Sequence, residues 1–280
     1  MKKSVALLLT LACAFSMVAC GAKTEEAPAA TEEAVVEEAV VEEAATEETA
    51  AEEATTEETV EADVKSEGVM TYEEYAAAEL DTEVTVETYV QAKQSWWEDK
   101  ATVYTQDKDG AYFLYEMACS EEDYEKLVPG TKIRVNGYKA EWAGEVEIIE
   151  ATFEILEGSY IAEAEDMTAM LASEELVNHQ NKFVAFKGMT VEASKDADGN
   201  DVAFLYNWDG SGEDGNDLYF NVSLDGQTYT FTVESYLCDN TTDVYAAVKN
   251  LQIGDVVDME GFLYWYEGVN PHITSLTVVE

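Results

Sequence analysis

The chain is 280 residues long, and its 60 aspartates and glutamates face only 15 lysines and arginines, which gives a formal net charge of −45. A charge of this size repels polyanions at long range and leaves few basic side chains for phosphate groups, so we expect no nucleic acid among the partners. The two histidines stand in no nucleophile motif, phosphate loop or zinc spacing, and the sequence therefore predicts a protein that is not an enzyme.

Residues 1–20 have the organisation of a secretory signal. Lys2 and Lys3 precede an apolar run over residues 5–18, and small residues lead to Cys20. The cysteine directly after Val-Ala resembles a bacterial lipobox, and this resemblance implies cleavage before Cys20 and a diacylglycerol on its sulfur. It further implies an extracytoplasmic, surface-exposed protein that is held to the cell membrane by lipid, because the apolar run is too short to span a bilayer. The alternative is an ordinary signal peptide that contains a cysteine.

Residues 21–67 are predicted to be a disordered acidic tether rich in Glu, Ala and Thr. Pairs of glutamates recur every five residues, from residues 32–33 to residues 57–58. A period of five matches no helical repeat, places like charges four residues apart and leaves no continuous apolar face. Ala and Glu favour a helix, which is the alternative, but a segment with charge of nearly one sign and no aromatic residue is expected to stay extended.

Residues 68–157 contain the elements of a first β domain. Thr71 and Glu74 form a capping box ahead of an alanine-rich helix, and Ser120 caps a second, short helix. The pattern Leu-x-x-Gly-x-x-Ile-x-Val-x-Gly-Tyr over residues 127–138 is typical of a half-buried strand with a tight entry and a kink. The other predicted strands are residues 84–90, 102–106, 111–117 and 146–155.

Residues 158–280 repeat this order with insertions. The pattern returns 124 residues later as Leu-x-x-Gly-x-x-Val-x-Met-x-Gly-Phe over residues 251–262, and a duplication at this spacing predicts two copies of one small β domain. Helices are predicted over residues 165–177 and 243–251, and a Gly/Asp-rich loop over residues 209–217 interrupts the sheet. The other predicted strands are residues 183–191, 202–206, 218–224, 227–234 and 273–279.

Three strands, a helix and two further strands are the order of an OB-fold, a five-stranded Greek-key barrel with its helix between strands three and four. The sequence therefore predicts a mainly β protein with short helices, in which two tandem OB-fold-like barrels follow the acidic tether. A pair of small β-sandwiches is the alternative architecture. Over residues 70–280 and the lipobox, the chain resembles the bacterial OB-like domains of secreted lipoproteins, particularly those of gut Clostridia. The resemblance implies a fold and a cellular location but no activity.

Aromatic side chains are predicted in the loops that OB-folds use for ligands, between strands one and two and between strands four and five. Rings beside carboxylates stack on sugars or hold cationic groups, so a small or glycan-like ligand is expected here. The alternative is that these rings close the barrel ends or fill the seam between the domains. The candidate ligand-binding residues are Trp96, Trp97, Tyr138, Trp142, Tyr264, Trp265 and Tyr266.

The loop over residues 209–217 is dense in oxygen ligands and glycine, as calcium loops are. It fails the EF-hand pattern, because Asp214 stands where glycine is needed and no glutamate stands at the twelfth position. No cofactor is expected, with calcium as the one candidate and a solvated acidic loop as the alternative. The candidate metal ligands are Asp209, Glu213, Asp214 and Asp217.

Cys119 and Cys238 fall at equivalent places in the two copies, each after a predicted strand and just before a predicted helix. Equivalent positions favour two buried thiols, one in each core, over a disulfide between the domains, which an extracellular location also allows. Neither has a histidine or another cysteine nearby in the sequence that would suggest metal or nucleophilic chemistry.

These observations together predict a lipid-anchored, non-enzymatic binding module at the cell surface, which engages a small or glycan-like ligand through its aromatic loops. The alternative is an accessory structural lipoprotein of the envelope, whose barrels contact another protein. The expected partners are the membrane, through the lipid on Cys20, and a glycan or an envelope protein.

Overall fold

The computed structural model describes residues 64–279, which belong to one compact unit. The predicted signal peptide, Cys20 and nearly all of the predicted tether lie outside the described residues. None of the helices within residues 64–279 is long and apolar enough to cross a membrane.

The first half of the described chain folds into a closed five-stranded barrel. Its strands are β1 (Glu83–Lys93), β2 (Lys100–Gln106), β3 (Ala111–Ala118), β4 (Thr131–Trp142) and β5 (Glu145–Ser159), with helix α1 (Tyr72–Ala77) before β1 and helix α2 (Glu121–Tyr124) between β3 and β4. In the order β1-β2-β3-β5-β4, every pair is antiparallel except β3 with β5. This is the connectivity of an OB-fold, and it confirms the predicted fold class.

The second half forms a second closed barrel with the same connectivity. In chain order its strands are β6 (Glu165–Asp166), β7 (Phe183–Glu192), β8 (Ser194–Lys195), β9 (Asp201–Val202), β10 (Leu205–Tyr206), β11 (Leu218–Leu224), β12 (Gln227–Val233), β13 (Val256–Phe262) and β14 (His272–Val279), with helix α3 (Asp243–Lys249) between β12 and β13. The ring β7-β11-β12-β14-β13 closes because β7 pairs with both β11 and β13. Within this ring the one parallel pair is β12 with β14, as β3 with β5 is in the first barrel.

The structure differs from the sequence prediction of one helix over residues 165–177. The segment instead contains β6 and the short 3-10 helices Thr168–Met170 and Glu174–His179. Asp166 Oδ1 accepts a hydrogen bond from the Thr168 N–H at 3.1 Å, and Ser173 Oγ accepts one from the Glu175 N–H at 3.2 Å. Side chains of this kind offer the backbone an alternative to helical hydrogen bonds, so the segment bends at each of them.

The duplicated pattern has the same structural cause in both barrels. Gly130 and Gly254 have φ angles of +91° and +94°, in the left-handed region that favours glycine, and each leads into its strand through a tight turn. At Gly137 an added Cβ would lie 2.7 Å from the nearest side-chain atom of β5, and at Gly261 it would lie 2.2 Å from a backbone oxygen of β14. The first glycine of the pattern is thus required by a turn, and the second by the close passage of the last strand.

Each barrel encloses its own hydrophobic core. Aliphatic residues with Tyr112 fill the first core, and three phenylalanines stand at the centre of the second, namely Phe186, Phe220 and Phe231. Cys119 and Cys238 are buried free thiols, one in each core, as their equivalent positions predicted.

Candidate functional site

The two barrels pack together through the outer face of β2 and β3. Tyr104 and Phe113 point out of the first barrel there, and with Phe262 they form a buried aromatic cluster in which the Tyr104 and Phe262 rings stack at 4.3 Å between centroids. Gln106 Oε1 also accepts a hydrogen bond from the Phe183 N–H at 2.8 Å. OB-folds present ligands on the face of strands two and three, so in the first barrel this face is covered by the second barrel.

The loops between strands four and five of the two barrels also contact each other. The Glu267 N–H donates to the Ala143 carbonyl oxygen at 2.7 Å, and the Trp265 N–H donates to Glu145 Oε2 at 2.9 Å. Gly144 lies so close to the indole of Trp265 that an added Cβ would be 2.9 Å from its Cδ1. Trp265 therefore fills the seam, as the alternative interpretation of the aromatic loops has it.

The seam buries two carboxyl groups. Glu145 has no exposed surface, and burial raises its pKa to about 8, with a further contribution from the charge of Glu147. Burial also raises the pKa of Glu147 to about 7, and the charge of Glu116 adds to that shift. Both groups therefore bind protons more tightly than exposed glutamates do.

His272, the first residue of β14, contacts the first barrel at the seam. Its Nδ1 is 2.8 Å from the Tyr104 hydroxyl oxygen, and its ring stacks on Tyr264 at 4.2 Å between centroids. Burial lowers the pKa of His272 to about 3, so the imidazole is neutral at physiological pH. This arrangement holds the ring in place as part of the packing between the barrels.

The loop after β1, which carries two tryptophans, contacts the second barrel, because the Ser95 N–H donates to the Tyr236 carbonyl oxygen at 2.7 Å. Trp96 is half-buried and donates its Nε1–H to the Cys119 carbonyl oxygen at 2.9 Å. Trp97 is 66% exposed and lines a cleft of about 380 Å³ with two tyrosines. Tyr138 is partly exposed on β4 and lines neither this cleft nor the larger one described next. Trp96, Trp97 and Tyr138 are therefore not brought together at one site.

A larger cleft of about 1000 Å³ opens on the second barrel. Its floor is the outer face of β11 and β12, where Asn221, Thr230 and Thr232 point away from the core. Trp142 and Tyr266, one from each of the contacting loops, border it with their rings 5.2 Å apart. This is the strand face that OB-folds use for ligands, and in the second barrel it stays open.

Further aromatic rings continue the wall of this cleft. Trp208 is 76% exposed at its border, while Tyr219 and Tyr264 are half-buried within it. The exposed rings offer flat apolar surfaces beside the polar floor, an arrangement suited to contacts with both apolar and cationic groups.

Carboxylates outnumber cations around the cleft. Asp217, Glu234 and Glu267 line it, whereas Lys195 is the one basic side chain among its described lining residues and lies 2.7 Å from Asp201 in an ion pair. Burial raises the pKa of Glu234 to about 7, and the charge of Asp217 adds to the shift. The cleft therefore has a negative potential and favours positively charged groups.

Sequence reasoning missed the floor of this cleft and Glu234. The only available signal was the alternation of polar Asn221, Thr230 and Thr232 with apolar residues along two strands. Alternation predicts an outward-facing position. It does not show that this face is open in one copy and covered in the other.

The four candidate metal ligands take part in separate interactions. Asp214 forms an ion pair with Lys249, and Asp209 accepts a hydrogen bond from the Ser211 N–H at 3.0 Å. Within residues 64–279 there is no group of three or more His, Cys, Asp or Glu side chains placed to hold a metal ion. The four candidate metal ligands are therefore not brought together at one site; they are Asp209, Glu213, Asp214 and Asp217.

Comparison with known proteins gives a likeness in fold. No family model and no curated protein sequence matches the chain. Among solved structures, tetrameric p202 HIN2 is similar at 12% identity and a TM-score of 0.31, over 72% of this chain and 96% of that one. A murine DNA-binding protein bound with double-stranded DNA is similar at 9% identity and a TM-score of 0.33, over 70% and 95% of the two chains. The Ifi202 HINa domain in complex with double-stranded DNA is similar at 10% identity and a TM-score of 0.32, over 70% and 92%. At these identities the likeness concerns the fold alone.

These matches contradict two predictions made from the sequence. The exclusion of nucleic acid from the partners is wrong, because structures of similar fold are described as bound to double-stranded DNA. It relied on net charge, which sets long-range attraction and does not decide what one face of a fold contacts. The prediction of a cell-surface module that engages a glycan or small ligand through its aromatic loops is also contradicted by these structures. In the fold itself, the two loops between strands four and five meet in the seam, where Trp265 is packed, and Trp97 lines a separate cleft.

Proposed function

We propose that the chain is a non-enzymatic binding protein whose cleft on the second barrel accepts an extended polypeptide segment with positively charged side chains. The observation that supports this most directly is the open face of β11 and β12, which combines a polar floor, aromatic walls and an excess of carboxylates. The corresponding face of the first barrel is used for the seam. The equivalent face of the second barrel is thus left open for a partner.

The floor of the cleft suits peptide groups. Thr230 Oγ1 donates to Asn221 Oδ1 at 2.8 Å, and Thr232 Oγ1 donates to Asn270 Oδ1 at 2.9 Å. These uncharged amides and hydroxyls are held in fixed positions and retain acceptor capacity toward the cleft. An extended backbone lying over the two strands would donate its own N–H groups to them.

The size and the border of the cleft allow a chain segment to enter. Pockets for drug-sized ligands reach volumes of roughly 300–1000 Å³, and this cleft stands at the upper end of that range with about 1000 Å³. It is bordered by the exposed rings of Trp142, Trp208 and Tyr266, so a segment can enter from the side without threading.

Charge supports a cationic partner. The formal net charge of −45 attracts positive segments at long range and raises their rate of encounter. In the cleft, the same segments meet Asp217, Glu234 and Glu267 directly, and cations over the tryptophan and tyrosine rings gain a further attraction.

The location of this binding protein is proposed from residues 1–20. The basic start, the apolar run and the cysteine after Val-Ala support export and lipid attachment at Cys20. The second barrel would then meet its partner outside the cytoplasm.

A fluorescent octapeptide that alternates lysine with serine tests the proposal against the full chain by anisotropy at physiological salt. Thr230→Lys places a positive charge on the floor of the cleft, and it should weaken binding about tenfold through like-charge repulsion. Thr152→Lys adds the same charge on an exposed position of the first barrel and is the matched control.

Three results would overturn the proposal. One is the absence of binding to the wild-type chain, and another is an equal loss in the two variants, which would show attraction to net charge alone. The third is displacement of the peptide by a short DNA duplex from the same cleft. Lysine amide serves as the small-molecule comparison and should bind far more weakly than the peptide.

A further inference from the structure

Two carboxylates face each other at one end of the cleft. Leu218 and Val233 are paired between β11 and β12, and the next residues outward are Asp217 and Glu234. The Ser235 N–H donates to Asp217 Oδ1 at 2.8 Å, which fixes the two chain segments side by side. Like charges in directly opposed positions on neighbouring strands are destabilising.

Glu234 is buried, and one of its two carboxylate oxygens has no hydrogen-bond partner among the described residues. The side chain is only 9% exposed although it lines the cleft, and one of its oxygens, Oε1, accepts a hydrogen bond from the Tyr236 N–H at 3.1 Å. Its other oxygen, Oε2, is buried and has no hydrogen-bond partner among the described residues. A buried carboxylate oxygen without a donor carries a desolvation cost that a cationic donor would remove.

Asp217, next to Glu234, also has a carboxylate oxygen that accepts no hydrogen bond from the described residues. Both of its hydrogen bonds, from the N–H and the hydroxyl of Ser235 at 2.8 and 2.6 Å, go to Oδ1. Asp217 and Glu234 therefore each present one oxygen that the fold does not use. Within residues 64–279 neither of them forms an ion pair with a lysine or arginine.

Two tyrosine rings belong to the same end of the cleft. Tyr219 lies on β11 directly opposite Thr232, two residues before Glu234, and Tyr264 comes from the loop at the seam. Both rings line the cleft together with Glu234, and Tyr264 stacks on His272, the strand partner of Thr232. Ring faces beside carboxylates attract an alkylammonium group.

The geometry points to a pocket for a lysine side chain, in which Glu234 Oε2 and Asp217 receive the ammonium group and Tyr219 and Tyr264 flank it. This assignment rests on the proposed function and names the side chain that the cleft recognises. A guanidinium group prefers both oxygens of one carboxylate, and here each carboxylate has one oxygen already bonded to the backbone. An ammonium group has three donors around one atom, so it can take one oxygen from each carboxylate.

The pocket should be sensitive to pH in a defined direction. Burial raises the pKa of Glu234 to about 7, and an ammonium group binds the ionised form. Affinity is therefore expected to rise as the pH increases through about 7. The titratable groups that face Glu234 are Asp217, Tyr104, Tyr219, Cys238 and Tyr264.

The first test uses the full chain and two octapeptides that alternate serine with lysine or with arginine. Glu234→Gln keeps the acceptor for the Tyr236 N–H, and it should weaken the lysine peptide about tenfold and remove the rise with pH. Glu260→Gln, an exposed glutamate on β13 that does not line the cleft, is the matched control and should change affinity by less than about twofold. Equal effects of the two variants, or tighter binding of the arginine peptide, would overturn the lysine pocket and leave the polypeptide function in place.

The second test separates the pocket from the function. Butylammonium chloride carries the end of a lysine side chain without a peptide backbone, and carboxyl NMR of the full chain reports the titration of Glu234. Butylammonium should lower the midpoint of that titration in the wild-type chain and not in Asp217→Asn. An unchanged midpoint in the wild-type chain would contradict the pocket, whereas a lowered midpoint without any peptide binding would contradict the polypeptide function alone.

Discussion

Replacing Glu145 by glutamine is expected to make the protein more stable at alkaline pH. Glu145 Oε1 and Asn181 Oδ1 are both buried in the seam, and neither has a hydrogen-bond partner among residues 64–279. Burial disfavours the charged form of Glu145, so the neutral carboxyl group is the form that suits the seam. The other oxygen of Glu145 already accepts the Trp265 N–H at 2.9 Å. Glutamine has the same shape and always carries the donor that the carboxyl group provides only when protonated.

The size of the effect follows from the pKa of Glu145. Burial raises it from 4.5 to about 8 in the folded protein. A carboxyl group of this kind stabilises the fold fully below its unfolded pKa, and that contribution is lost as the pH rises to the folded pKa. At about 1.4 kcal/mol per unit, the upper limit is on the order of 5 kcal/mol. Glu147 and Glu234, whose pKa values burial raises to about 7, act in the same direction.

Urea unfolding between about pH 5 and pH 9 measures this linkage. The free energy of unfolding of the wild-type chain should fall over that range. Glu145→Gln should match it within about 1 kcal/mol at the acid end and exceed it by a few kcal/mol at the alkaline end. Glu141→Gln, an exposed position at the end of β4, controls for loss of one negative charge. Parallel curves for wild type and Glu145→Gln would refute the reasoning, because ionisation of Glu145 would then not be coupled to folding.

Other substitutions test the fold and the anchor. Arg134 Nη2 lies 2.8 Å from the buried carboxylate of Glu87, and Arg134→Ala should lower the free energy of unfolding by about 2 kcal/mol in urea titrations; an unchanged midpoint would contradict the role of this pair. Gly261→Ala places a Cβ 2.2 Å from a backbone oxygen and should cost about 3 kcal/mol. Gly226→Ala has open space around it and should cost about 1 kcal/mol, so equal losses would argue against close passage as the cause. Cys20→Ser should release the protein from membranes in fractionation, and continued membrane partition would exclude lipid attachment at this residue.

The fold was predictable because its determinants are local and occur twice. Gly130 and Gly254 mark a tight turn, Gly137 and Gly261 mark the crossing of a neighbouring strand, and apolar residues alternate between them. These features need only a few neighbouring residues, and their repetition fixes the order of the elements around them. The prediction of a helix over residues 165–177 was wrong for the converse reason. The helical pattern there competes with side-chain hydrogen bonds that become visible only in the structure.

The cleft was not predictable from the same features, because it depends on which face each copy buries. The outward positions of β2 and β3 carry Tyr104 and Phe113, whereas those of β11 and β12 carry Asn221 and Thr230. A strand pattern gives the alternation of inward and outward side chains but not what covers the outward ones. Comparing the polarity of the equivalent outward positions in the two copies would have distinguished the packed face from the open one.

The packing of the two barrels covers the face of β2 and β3, and it also completes the wall of the cleft on β11 and β12. Trp142 belongs to the first barrel and Tyr266 to the second, and their rings meet at the border of the cleft only because the two loops are joined across the seam. Glu145 lies in that junction, where it accepts the Trp265 N–H. Ionisation of Glu145 weakens the seam and would therefore loosen the wall of the cleft, while ionisation of Glu234 strengthens its attraction for an ammonium group. Since the two carboxyl groups have pKa values of about 8 and about 7, the affinity for a lysine-bearing segment should pass through a maximum between those values.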